Sequence, residues 1–163
     1  MQSDVVIMQA AIPDDLATVR ELFLEYAESL EFSLCFQGFD QELQNLPGCY
    51  ARPDGCLLLA KTESETLGVV GMRPLGQGYC EMKRLYLRPQ ARGLGIGRCL
   101  IEAVLSVACE RGYRAMRLDT LKSMETARTL YQAYGFEEIA AYYENPLPEA
   151  TYYERPLQDR TQR

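Results

Sequence analysis

The chain has 163 residues, 47% of them apolar and 25% charged, with a formal net charge of −6; this is the composition of a folded chain of about one domain and excludes a wholly disordered one. No apolar run approaches the roughly 20 residues of a membrane-spanning helix, and no basic leader precedes an apolar stretch, so a cytoplasmic protein without a membrane partner is expected. Histidine is absent altogether, which excludes a histidine base and a histidine-ligated metal and leaves proton transfer to Glu, Asp, Tyr, Lys, Cys or water.

Residues 5–10 read as a strand. A helix is expected to start at Pro13, Asp14 and Asp15, because proline suits the first helical position and acids in the first turn suit the helix dipole. Leu16, Val19, Leu22, Phe23, Tyr26 and Ala27 recur at helical spacing and form its core stripe. Residues 32–39 are aromatic and irregular, and 40–46 form a short helix stopped by Pro47 and Gly48. Residues 56–62, 66–72 and 79–87 read as three strands joined by tight turns, hence an antiparallel meander. The next helix carries Ile96, Leu100, Ala103, Val104, Val107 and Ala108 on its buried face and ends at Gly112, where a capping glycine belongs. Residues 113–120 form a strand with Met116 and Leu118 on one face. Ser123 is expected to cap a last helix with the stripe Ala127, Leu130, Tyr131 and Tyr134, closed by Gly135 and Phe136. Residues 136–140 and 151–156 read as closing strands, and 158–163 as a frayed tail. The order of elements describes one mixed α/β domain over residues 1–157.

The six cysteines, Cys35, Cys49, Cys56, Cys80, Cys99 and Cys109, contain no C-x-x-C unit and are expected to be reduced thiols. Charge is unevenly spread: residues 1–60 carry a net −8, residues 61–120 a net +4 and residues 121–163 a net −2. Between Met82 and Ile101 lie Lys83, Arg84, Arg88, Arg92 and Arg98, with no acid among them. The asymmetry reads either as solvated faces that differ or as an anion-binding middle. The acidic total opposes a general nucleic-acid binder, so no nucleic-acid partner is expected.

The segment from Gln90 to Arg98 follows a strand and opens a helix, with Gly93, Gly95 and Gly97 at alternate positions. Glycines let successive backbone N–H groups approach an anion, and the helix dipole adds partial positive charge there. By itself such a loop is read first as a plain tight turn and second as a phosphate site. A dinucleotide-binding loop is one alternative, with Asp119 near the end of the following strand as the ribose acid. It requires a third glycine at the position Arg98 occupies, and a first βαβ unit rather than a meander. A nucleoside-triphosphate loop is excluded, because no Gly-Lys-Ser/Thr is present.

Gln90, Gly93 and Gly95 resemble the Q/R-x-x-G-x-G/A signature of the GNAT superfamily of N-acetyltransferases. Leu130, Tyr131, Gly135 and Phe136 are similar to that family's L-Y-x-x-x-G-F, at the expected distance downstream, and residues 84–87 resemble its cofactor-lining fourth strand. The matches span about residues 67–138. The resemblance implies a mixed α+β fold: a central, mostly antiparallel twisted sheet of about six or seven strands flanked by about four helices. It also implies acetyl-CoA as co-substrate and no metal. The pyrophosphate would lie on the N–H groups of Arg92, Gly93, Leu94, Gly95, Ile96, Gly97 and Arg98, with Gln90 a further cofactor-binding residue. The pantetheine arm would pair like an added strand with Leu85, Tyr86 and Leu87.

For the chemistry, the resemblance implies Tyr131 as the general acid on the departing thiolate; the alternative is a core tyrosine on the helix stripe. Glu81, or a water, is the expected base, with a glutamate merely paired to Lys83 or Arg84 as the alternative. Family members often carry Asn where this chain has Met124, so a polar contact near the thioester is lost or supplied by Ser123 or Thr120. The acceptor is expected to be a small-molecule amine or a protein lysine. It would meet Phe32, Phe36, Phe39, Tyr142, Tyr143, Tyr152 and Tyr153 and the acids Glu28, Glu31 and Glu144, many of these aromatics being equally readable as core. A homodimer through outer strands is a further expectation. A catalytically silent acetyl-CoA-binding sensor is the alternative to the enzyme.

Overall fold

The structure, a computed structural model, describes residues 4–30, 33–34 and 38–157. Cys35, Phe32, Phe36, Glu31 and the 158–163 tail named above lie outside the described residues.

Seven strands form one sheet in the order β1-β2-β3-β4-β5-β7-β6, where β1 is Val6–Gln9, β2 Cys56–Lys61, β3 Thr66–Gly76, β4 Tyr79–Leu87, β5 Ala115–Leu121, β6 Glu137–Ile139 and β7 Ala150–Pro156. The expected meander β2-β3-β4 is present and antiparallel. Among the described residues four α-helices accompany it: α1 Leu16–Ser29, α2 Phe39–Gln44, α3 Ile96–Glu110 and α4 Glu125–Ala133. This is the mixed α+β architecture expected from the order of elements. β7 lies between β5 and β6 rather than at the outer edge, so the closing hairpin pairs inward.

β2 to β4 are almost continuously buried because helices cover both faces. On one face α1 inserts Val19, Leu22 and Phe23 against Leu57, Leu59, Val69 and Tyr50. On the other, α3 and α4 pack Leu100, Val104, Tyr131 and Phe136 over Met72, Met82, Met116 and Leu118. Each such side chain fully withdrawn from water contributes about 1.5–3 kcal/mol, so two apolar layers hold the sheet between them.

Both predicted capping glycines end their helices as expected. Gly112 and Gly135 have φ of 82° and 89°, and the Tyr113 N–H donates to Ala108 O as the Phe136 N–H does to Tyr131 O. These are the reach-back bonds of a Schellman cap. Two helix starts differ from expectation. α1 begins at Leu16 with no acid in its first turn, because Asp15 turns backward, accepting from the Ala11 N–H at 2.7 Å and from Lys61 Nζ at 3.0 Å. The cap position of α4 is Met124, not Ser123, and no side chain caps it.

Candidate active site

One strand contact organises the site. β4 and β5 run parallel, and pair only at Tyr79 with Ala115, Cys80 with Met116 and Glu81 with Arg117. Beyond Glu81 the strands separate, and the opening between them is a cavity of about 120 Å³. Its walls include residues 82–85 of β4, residues 118–121 of β5, Tyr26 of α1, and Met124, Ala127 and Tyr131 of or beside α4. A second, more open groove of about 580 Å³ lies between the end of β4, the glycine loop and α4. It is lined by Leu87, Arg92, Gly93, Gly95, Gly97 and Arg98 on one side and Glu125, Thr126, Thr129 and Leu130 on the other.

The glycine loop is shaped to take an anion. Gly93 and Gly95 have φ of 79° and 81°, and a Cβ added at either would meet nothing within 4 Å. Gly95 is the cap residue of α3; no side chain caps that end and no acid lies in its first turn. The first N–H groups of α3 are therefore without side-chain partners, beside two exposed arginines, Arg92 and Arg98. Gly97 is buried, and a Cβ there would touch Leu87 and Leu130 at 3.5 and 3.7 Å. This donor set fits a pyrophosphate. Leu85, Tyr86 and Leu87 have no partner on the β5 side, leaving an open edge for an extended chain to pair with.

Not every residue expected to bind the cofactor faces the groove. Gln90 donates instead to Glu65 Oε1 at 3.3 Å. The Ile96 side chain is part of the core and Leu94 is 58% exposed. The Tyr86 ring lies on the α1 face, near Tyr26 and below Arg92, with its hydroxyl toward Glu25.

Tyr131 lines the cavity at the end of β4 and makes a T-shaped contact with Phe136. Burial, with the charge of Tyr26 and Asp119 behind it, pushes its phenol well above the ordinary value. Glu81 is 0% exposed. Its Oε1 accepts from Arg73 Nε at 2.8 Å and lies 3.8 Å from Lys83 Nζ, and its Oε2 accepts from the Tyr142 hydroxyl at 2.5 Å. Of the two cations weighed as partners, Lys83 is at Glu81; Arg84 pairs with Glu42 instead. The carboxylate that does line the cavity is Asp119, which accepts from the Tyr143 hydroxyl at 2.6 Å and from Asn145 Nδ2 at 3.4 Å. From the sequence Asp119 reads only as a ribose acid; its place on the strand that follows α3 is the signal for a site residue.

The aromatic set expected around the acceptor divides. Tyr142, Tyr143 and Tyr152 stack mutually edge-on at 5.3–5.5 Å over this face. Tyr153, the next residue along β7, points the other way into the α3/α4 core and is 0% exposed. Glu28 and Glu144 are exposed. Thr120 lines the cavity with its hydroxyl on the Met124 sulfur at 3.3 Å, whereas Ser123 is exposed. Of the two polar substitutes for the family's Asn, Thr120 is the one at the site.

The wall of the cavity contains a kink. Val69 pairs with Tyr86 and Gly71 with Lys83, so two β4 residues, Arg84 and Leu85, oppose one residue of β3. This is a β-bulge. Arg84 has φ 60°, a left-handed conformation that costs a non-glycine residue about 1–2 kcal/mol. The register shift lies where β5 has already diverged, and Arg84 and Leu85 both line the cavity.

The chain matches the acetyltransferase (GNAT) family over residues 16–136 and belongs to it. It is 40% identical to an N-acetyltransferase of Schizosaccharomyces pombe described as uncharacterized, over 90% of this chain and 91% of that one. A GNAT-family acetyltransferase of Staphylococcus aureus Mu50 shares the fold with a TM-score of 0.79, at 20% identity and over 95% of this chain and 100% of that one. The PaiA N-acetyltransferase of Thermoplasma acidophilum, solved in complex with coenzyme A, superposes with a TM-score of 0.71, at 18% identity over 94% of this chain and 99% of that one. The meander-first sheet and the family membership set aside the dinucleotide-binding alternative. Among the described residues, no helix is long and apolar enough to cross a membrane.

Proposed function

We propose that the protein is an acetyl-CoA-dependent N-acetyltransferase that moves the acetyl group to a primary amine by direct attack. The observation that carries the reading is that two cavities are lined by neighbouring residues of β4 and α4. Leu87 and Leu130 line the groove at the glycine loop, and Leu85 and Tyr131 line the small chamber that also holds Asp119. Acetyl-CoA would supply the activated thioester; the rest concerns this chain's residues.

Gly93–Gly97 and Arg98 bind the pyrophosphate through backbone N–H groups and charge. The free edge of residues 85–87 orients the extended arm. Positioning two reactants in adjoining sites supplies up to about 7–11 kcal/mol of the barrier reduction. Tyr131, kept protonated by its burial, donates its proton to the departing thiolate. A water takes the proton of the attacking amine, with Glu81 behind it as the buried base. The amine itself is met by Asp119. The chamber's size favours a small amine or a single side chain entering from the surface, so a small-molecule amine and a protein lysine both fit.

Free-thiol release from acetyl-CoA, measured over a panel of amines, tests the reading; amine-dependent release is expected. Micromolar acetyl-CoA binding with no release on any amine favours the silent sensor instead.

A further inference from the structure

Lysine is scarce in this chain. Of its 17 basic residues 14 are arginine, and the three lysines are Lys61, Lys83 and Lys122. Lys61 holds Asp15 at 3.0 Å, and Lys122 is exposed. Lys83 is the lysine in the wall of the reaction chamber, two positions before Leu85, on the stretch of β4 that has left β5. Its side chain is 7% exposed. The charge of Glu81, the carboxylate beside it, is met from other sides as well. Glu81 Oε1 accepts from Arg73 Nε at 2.8 Å and Oε2 accepts from the Tyr142 hydroxyl, whereas Lys83 Nζ stands 3.8 Å from Oε1, beyond hydrogen-bond reach. A Lys83 without charge therefore leaves Glu81 paired. Burial foremost lowers the Lys83 ammonium from its ordinary value; Glu81 and Asp119 oppose the shift, and Arg84 and Arg73 add to it. A buried lysine moves in this way toward its neutral, nucleophilic form, which an arginine does not.

We propose that Lys83 is a self-acetylation site: when no amine occupies the chamber, its side-chain nitrogen takes the acetyl group of acetyl-CoA. This rests on the acetyltransferase reading above and gives the chamber a second acceptor, built into the chain. Leu87 borders the groove at the glycine loop and Leu85 borders the chamber, so an extended arm lying along residues 87–85 runs toward Lys83. The flexible four-carbon stem supplies the remaining reach. The lone pair of Nζ attacks the thioester carbonyl; the C–N bond forms and the C–S bond breaks. Sulfur leaves with the bonding pair and takes up a proton, and nitrogen gives one up. The products are the CoA thiol and an acetyl-lysine amide, and no further reactant is consumed. A separate acetyltransferase has no such access to a side chain this buried. An amide does not pass its acyl group on as a thioester does, so the acetyl group stays. It occupies part of a cavity of about 120 Å³ and shuts out the amine.

Wild type and Lys83→Arg are incubated with acetyl-CoA and no amine, and acetyl groups are located by mass spectrometry of the intact protein and of its peptides. Wild type is expected to gain an acetyl group on Lys83 at least about tenfold faster than on the exposed Lys122, because the chamber holds the two reacting groups together. Excess CoA or unfolding of the protein is expected to remove that advantage, and Lys83→Arg to gain no fast acetyl group. Wild type acetylated at Lys83 and returned to fresh acetyl-CoA is expected to release thiol on the best amine of a panel at about a tenth of the unmodified rate or less. Lys83 left unmodified, or modified no faster than Lys122 or than in unfolded protein, overturns the proposal; amine-dependent thiol release by the same protein then leaves the acetyltransferase reading standing. Full activity of the fully acetylated protein overturns the blocking role. An acetyl group on Lys83 with no amine accepted upholds the site and fails the amine reading. If Lys83→Arg does not fold, the wild-type peptide map decides by the same rate comparison.

Discussion

Glu81 and Arg117 face each other across the last paired position of β4 and β5, and there the two strands part. Every residue on β4 beyond Glu81 borders a cavity or an open edge, and every residue before it is closed into the sheet. The placement explains why Glu81 is buried with Arg73, Lys83 and Tyr142 while Asp119, two residues past Arg117, lines the chamber.

Replacing Glu81 by Gln leaves Lys83 and Arg73 facing a neutral amide. Lys83 is nearly inaccessible, with a side chain 7% exposed, so removing the carboxylate charge from beside it should cost stability, on the order of 2–3 kcal/mol. A lower melting temperature is expected. Because Glu81 receives the proton through water in the proposed reaction, kcat is expected to fall at least about tenfold. Equal pH–rate profiles for variant and wild type remove Glu81 from the mechanism.

Tyr131→Phe is expected to lower kcat about tenfold or more, with the CoA dissociation constant nearly unchanged. Burial holds the Tyr131 phenol above its ordinary value of 10, so the wild-type kcat should show no alkaline fall assignable to this residue between about pH 7 and about pH 9. An unchanged kcat, with chemistry shown to limit the rate, contradicts the assignment.

Asp119→Asn should raise the KM of the amine roughly tenfold, as loss of one charge-assisted contact does, and leave the KM of acetyl-CoA within twofold. Equal effects on both constants would mean that Asp119 shapes the cavity rather than meets the amine.

Much of this was legible from local signals. The glycine loop, the α3 stripe and the caps at Gly112 and Gly135 are short-range patterns, each enforced by a backbone conformation that few residues tolerate. The ion pair of Arg84 with Glu42 was not legible: nothing around Arg84 marks a bulge, and Glu42 stands 42 residues away. Nor was the inward pairing of β7, which depends on two faces being buried at once rather than on any turn. The false start of α1 has a local cause, since Asp15 bonded backward to Ala11 instead of forward into the helix. Tyr142, Tyr143, Tyr152 and Tyr153 are expected together at the acceptor because the resemblance places the final hairpin there, but strand alternation sends Tyr153 to the opposite face.

The alkaline limit of stability follows from the buried phenols. Tyr26, Tyr50, Tyr131, Tyr142 and Tyr143 all hold their protons above the ordinary value of 10, chiefly by burial. A group with a raised folded pKa contributes stability that is complete below its unfolded pKa and is lost as pH rises toward the folded one. The melting temperature should therefore fall above about pH 10, and the tyrosinate absorbance of these residues should appear only together with unfolding. Ionisation of all eleven tyrosines in a still-folded protein contradicts the burial described above.

The central claim is that the turn ahead of α3 receives the pyrophosphate of a CoA thioester. Gly95 stands at φ 81° with open space where a Cβ would go, so a valine there both strains the turn and fills the groove. Calorimetric titration of wild type and Gly95→Val with CoA tests the claim most directly. Micromolar binding by wild type, weakened at least about thirtyfold (2 kcal/mol) in the folded variant, is the predicted result. Equal dissociation constants for the two proteins, or no binding by wild type, would contradict it.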